Sequence, residues 1–178
     1  MLRLKTFLAA ALCAVAVGCA FGSNEALIPA EDTVLPLGSF TLADTYVRNS
    51  DDPSLWDRSG DEGAYEYYTL RQEAGGYWLD EMFWLVFARL DEGTDEYLMQ
   101  VATPEESTDG GYVYNYAVGK MAGDRLFMKL PDCDDLPIDT INELELDADC
   151  TLTTYAGLKR AIAETKGTIS YTTYYQLR

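Results

Sequence analysis

The chain has no histidine among its 178 residues, only four cysteines and six prolines, and 13 lysines and arginines against 30 acidic residues. Without imidazole, Ser-His-Asp and Cys-His catalytic arrangements are excluded, and zinc loses its usual nitrogen ligand. No two cysteines stand in C-x-x-C spacing, which removes the common redox motif. The formal net charge of -17 repels phosphate backbones and anionic headgroups, so neither nucleic acid nor an electrostatically bound lipid surface is a candidate partner. A long apolar run is missing too. The longest, from Phe7 to Gly18, has 12 residues, against the roughly 20 a helix needs to cross a bilayer core.

That short run follows Arg3 and Lys5, the pattern of a secretory signal, here residues 1–18. It stops at Ala16-Val17-Gly18-Cys19, which resembles the lipobox of bacterial lipoproteins. The resemblance implies cleavage before Cys19 and a lipid anchor on it, a diacylglycerol plus an N-acyl chain. Each buried CH₂ contributes about 0.8 kcal/mol, so two or more chains hold firmly. Ala20 in place of an Asp implies the route to an outer membrane, facing the periplasm. The implied localisation is the bacterial cell envelope, with the membrane as a partner through the anchor.

Residues 19–36, with Gly22, Ser23, Asn24, Pro29 and Pro36 and no sustained periodicity, read as a flexible tether. Residues 37–178 then form a single acidic domain, long enough for one core. Without the signal's two cations, 11 basic residues face 30 acidic ones, a formal net charge of -19. With Cys13 in the signal and Cys19 acylated, Cys133 and Cys150 remain, and an exported even pair predicts a disulfide.

The domain reads as mainly β (α+β): an antiparallel meander forming a curved sheet or small barrel, with one C-terminal helix. Strand composition occurs in residues 37–48, 65–71, 77–90, 96–102, 112–120, 125–130 and 168–177. In 77–90 a helix is the rival, with Met82, Leu85, Val86, Arg89 and Leu90 at helical spacing, but Phe83, Trp84, Val86 and Phe87 favour a strand. Gly75-Gly76-Tyr77 and Gly110-Gly111-Tyr112 form a weak internal echo, each leading into an apolar segment, a turn and a second apolar segment. In residues 141–150, strict alternation predicts a strand with Leu144, Leu146, Ala148 and Cys150 inward and four carboxylates outward. Thr153 or Thr154 can cap a helix near 154–166, with Leu158, Ala161 and Ile162 as its packing stripe.

Functional candidates are few. Asp80 and Glu81 lie near Trp78 and Trp84, but adjacent strand residues face opposite ways and cannot form an acid–base pair. Asp132, Asp134, Asp135 and Asp139, and separately Asp57, Asp61 and Glu62, supply oxygen ligands of the kind calcium takes. Neither group has EF-hand spacing, so turn-forming aspartate is the reading, and no metal or cofactor is assigned. Among 13 tyrosines, Tyr112, Tyr114 and Tyr116 share one strand face and can line a groove for glycan or peptide, since a phenol joins apolar area to a hydrogen-bonding tip. The same spacing equally describes a core face. The expected role is a non-enzymatic envelope lipoprotein with structural or protein-interaction duty. The alternative is a glycan- or peptide-binding lipoprotein using the tyrosine face. A hydrolase is the remote option, because no spacing singles out two of the 30 acids.

Overall fold

Alternation at every second position decides which side of each strand is buried, and the computed structural model shows where those sides point. It describes residues 21–59, 67–104, 111–131, 133–147, 150–165 and 170–178. The strands are β1 (Gly22–Ser23), β2 (Thr33–Val34), β3 (Leu42–Arg48), β4 (Trp56–Arg58), β5 (Tyr67–Glu73), β6 (Gly76–Leu79), β7 (Phe83–Arg89), β8 (Glu96–Pro104), β9 (Tyr112–Ala122), β10 (Arg125–Lys129) and β11 (Thr173–Leu177). Helices α1 (Ile138–Glu143) and α2 (Tyr155–Thr165) lie between β10 and β11. Strands β3 and β5 to β11 close an eight-stranded antiparallel barrel, each pairing with its neighbours in chain order and β11 returning to β3. It is the meander expected from the sequence, closed into a ring.

One alternate set fills the interior. Leu70, Tyr77, Leu79, Leu85, Phe87, Met99, Val101, Ala117 and Leu126 form a single buried cluster. The remaining void is about 20 Å³ and wholly apolar in its lining, room for about one water molecule and no ligand. Eight strands leave a bore that side chains can fill, and here they do. An apolar interior is also the reverse of a membrane-spanning barrel, whose lumen is polar.

The outward set on β7, β8 and β9 is apolar as well, and it is covered. Val86, Ala88, Leu98 and Val118 pack against Leu158, Ala161 and Ile162 of α2 and against Phe21, Ile28 and Leu152. Thr154 Oγ1 accepts the Gly157 N–H at 3.1 Å, the N-cap the sequence predicts, satisfying one of the donors a helix start leaves open. The disulfide joins Cys133 to Cys150, with their Cα atoms 5.9 Å apart.

Three expectations need correction. The tether is the first: from residue 21 the chain is docked. Phe21 is fully buried and Ile28 nearly so, β1 pairs with β9, and β2 pairs with β7. Prolines and glycines here shape a strap that follows the barrel wall. Secondly, residues 77–90 form two strands, not one. Asp80 and Glu81 both take positive φ, 52° and 58°, the φ signature of a type I′ turn, and Met82 N–H closes the turn onto the Leu79 carbonyl at 3.1 Å. The carboxylate of Asp80 offsets the strain by accepting from the backbone N–H and hydroxyl of Thr69, at 2.6 and 2.8 Å.

The third correction concerns residues 141–150, which form no strand among those described; residues 148 and 149 lie outside them. A strand needs a partner edge, and the barrel closes without this segment. It satisfies its own backbone instead, as α1. That helix ends in a Schellman motif: Leu146 N–H bonds the Ile141 carbonyl at 3.1 Å, and Glu145, at φ 54°, bonds Asn142 at 3.3 Å. The expected row of carboxylates is dispersed. Glu143 pairs with Arg160, Glu145 occupies the left-handed position, and Asp147 accepts the Thr151 N–H at 2.9 Å.

On the other side of the barrel, Asp44 of β3 is buried between two guanidiniums. Arg58 of β4 reaches one carboxylate oxygen at 2.7 Å and Arg178 pairs with the other. Arg178 also returns to β3 through its backbone, its carbonyl accepting the N–H groups of Thr41 and Leu42 at 2.9 and 3.2 Å.

Candidate aromatic groove on the outer wall

Outward positions on four consecutive strands fall into one transverse row. Trp78 lies opposite Trp84, Trp84 opposite Ala102, and Ala102 opposite Tyr114. Strands stand about 4.8 Å apart, so the row spans about 14 Å, and the small residue at Ala102 leaves a dip about 10 Å wide between Trp84 and Tyr114. Tyr112, two residues from Tyr114 on the same face, extends the lining. The strap makes the facing wall with Ala26, Ile28, Ala30 and Thr33. The resulting groove has a volume of about 740 Å³, within the range of small-molecule sites.

Two features hold the rings in place. Trp78 and Trp84 tilt against each other at 51° with centroids 5.1 Å apart, and the Trp78 indole N–H donates to Glu73 at 3.2 Å. Arg71 pairs with the other oxygen of Glu73. Beneath them lies Gly76, which must be glycine for a packing reason. A Cβ there would stand 2.8 Å from Trp84 Cζ2 and closer still to the Leu85 carbonyl oxygen, so any side chain would lift the ring from its seat.

The three tyrosines separate by depth. Tyr112 is 40% exposed, Tyr114 is half-buried, and both line the groove. Tyr116 is fully buried and works as a prop. Its hydroxyl accepts the Leu27 N–H at 3.2 Å and donates toward Gln100 Oε1 and the Glu25 carbonyl, both at 3.3 Å. Gln100 Oε1 in turn accepts the N–H groups of Leu27 and Ile28 at 2.9 and 3.3 Å. Tyr116 and Gln100 thereby staple the strap to the barrel and shape one wall of the groove.

Burial raises the Tyr116 hydroxyl to about 12. Tyr155 and Tyr171 also rise to about 12, first through burial and then through the neighbouring carboxylates Asp32 and Glu96. The unfolded chain therefore loses these protons near pH 10, before the folded chain does, and stability falls as pH rises from about 10 to about 12. Tyr116 alone contributes about 2–3 kcal/mol to that loss, and the more exposed pair less. No histidine titrates in between, so urea unfolding is expected to show a plateau from about pH 6 to 9 and then a steep alkaline decline. A stability that drifted across neutral pH would contradict this assignment.

The remaining candidates do not assemble into sites. The echoed tyrosines differ in role: Tyr77 is fully buried, with its hydroxyl accepting the Leu37 N–H at 3.0 Å, whereas Tyr112 faces outward, so the two glycine-tyrosine segments are not equivalent. Asp80 and Glu81 sit at a turn. Among the described residues no three carboxylates or cysteines come together as a metal site; Asp61, Glu62 and Asp132 lie outside those residues, and Asp57 accepts from Asn49 at 2.6 Å.

Sequence reading missed a second aromatic group on β3, β4, β10 and β11. Tyr46 stacks on Tyr174 at 4.6 Å and 3°, and Trp56 and Phe127 close around the pair. These residues are far apart in the chain, and only the closing register of β11 on β3 joins them. Their rings pack on one another.

No protein-family model, curated protein or solved structure matches the chain. Its fold and groove rest on their own geometry.

Proposed function

We propose that this chain is a lipid-anchored protein of the bacterial cell envelope that binds a neutral glycan in the outer groove and acts by contact. The sequence put a structural or protein-interaction role first and a glycan or peptide role as its alternative, and the groove supports the alternative. The row of Trp78, Trp84 and Tyr114 interrupted at Ala102 carries this reading. A sugar ring has an apolar C–H face that lies flat on an indole or phenol, and a rim of hydroxyls that needs acceptors such as Glu73. Peptides that pair with a sheet require an open edge, and this wall presents a face. Among the described residues that line the groove Glu73 is the one carboxylate, whereas glycoside hydrolysis uses two across the bond, which supports binding over turnover.

The test is tryptophan fluorescence during titration with neutral oligosaccharides of three to six sugars, with a uronate polymer and a proline-rich peptide as comparators. Trp84→Ala is expected to weaken the neutral glycan at least ten-fold, as truncating an aromatic anchor costs about 2 kcal/mol or more. Silence toward every neutral glycan, or tighter binding of the peptide, would overturn the proposal.

A further inference from the structure

We infer that the glycan is the uncharged saccharide headgroup of a lipid embedded in the same membrane as the protein, an inference that rests on the Cys19 anchor and on the glycan reading above. It comes from how little chain separates the anchor from the groove. Phe21 is fully buried and its carbonyl accepts the Tyr116 N–H at 3.0 Å. Gly22 is held on its other side by Cys150 and Leu152, at 3.3 and 2.8 Å. Ser23 then lies directly opposite Tyr114, the end of the aromatic row.

From Cys19 to Phe21 is two residues, a reach of at most about 7 Å, and to Ser23 four residues, about 14 Å. Had residues 19–36 been a flexible tether, the groove would have ranged about 23 Å from the anchor on average and up to about 60 Å when extended. The docked strap removes that freedom. The groove is confined to the layer where headgroups lie, and a glycan held far above the membrane stays beyond its reach. Tryptophan and tyrosine suit that layer, where one side of the ring meets apolar chains and the other meets water. With Glu73 in the lining and a net charge of -19 beyond residue 18, phosphate-bearing and acidic headgroups are repelled.

Full-length lipidated protein in phosphatidylcholine vesicles, with and without a diglycosyl diacylglycerol, provides the test. A second version carries 16 Gly/Ser residues inserted between Ala20 and Phe21. The native spacing is expected to give tryptophan quenching that depends on the glycolipid. The insertion should weaken this apparent affinity on the order of ten-fold through loss of effective concentration, while both versions bind the free disaccharide equally. Equal capture of glycolipid by the two versions, or binding of the free disaccharide without the glycolipid, would overturn this inference and leave the groove reading standing. Failure to bind either form would overturn the glycan reading itself. A mature chain without acyl mass at Cys19 would overturn the anchor.

Discussion

Phe21→Ala is expected to destabilise the domain by about 3–5 kcal/mol, the cost of emptying a fully buried phenylalanine site. That is a large share of the roughly 5–15 kcal/mol that holds a typical domain together. In a flexible tether the same substitution would register within about 0.5 kcal/mol, so the two descriptions of this segment differ by several-fold in one measurement. Phe21 sits in the cluster shared by the outer barrel wall and α2, and its carbonyl is tied to β9. Urea unfolding of the purified mature domain measures the effect. A loss below about 1 kcal/mol would mean that the strap is not docked in solution. The variant should also lose glycan binding beyond its loss of stability, because the strap forms one wall of the groove.

The cluster around Asp44 carries the second large effect, and it is asymmetric. Arg58→Ala leaves a carboxylate whose side chain is 6% exposed with Arg178, itself 61% exposed, as its ion-pair partner among the described residues. Stranding a buried charge costs about 3–5 kcal/mol. Asp44→Ala instead takes the shared anion from two guanidiniums that already reach water, Arg58 being 27% exposed, and should cost about 2–3 kcal/mol, the range for hydrogen bonds to charged groups. Arg178→Ala removes the outermost partner and should cost up to about 1 kcal/mol. The expected order in denaturant midpoints is therefore Arg58→Ala most damaging, then Asp44→Ala, then Arg178→Ala. An Asp44 variant less stable than the Arg58 variant would show that the carboxylate is not the buried member of the trio.

Local pattern made much of the fold legible. The apolar composition of β7 and β8, the alternating tyrosines of β9 and the glycine-containing turn between β7 and β8 identify a meander without reference to distant contacts, and Thr154 with Leu158 and Ile162 marks α2. Residues 141–150 show where that reasoning stops. Leu144 and Leu146 alternate as strand residues should, yet whether an alternating segment becomes a strand depends on a free edge, and edge availability is a property of the closed ring. The strap illustrates the same limit from the opposite side. Phe21 and Ile28 stand among prolines and glycines in a segment with no period of its own, because its backbone partners are on β9 and β7. For the groove, Tyr112 and Tyr114 were visible as one face and Trp78 and Trp84 as neighbours. Their union required the register across β6 to β9, which no single segment encodes.

The pairing of β11 with β3 also sets an order in time. Tyr174 meets Tyr46, so the strand that closes the ring is made last of the eight. Hairpins from β5 through β10 can form as soon as they are delivered, since each pairs with its immediate predecessor. Until β11 arrives they make an open sheet with unpaired edges on β3 and β10, the state in which strands recruit other chains. Asp44 and Arg48 on one edge and Arg125 and Lys129 on the other place charges along both. The same residues that later frame the closed seam thus discourage the half-delivered sheet from pairing with a neighbour.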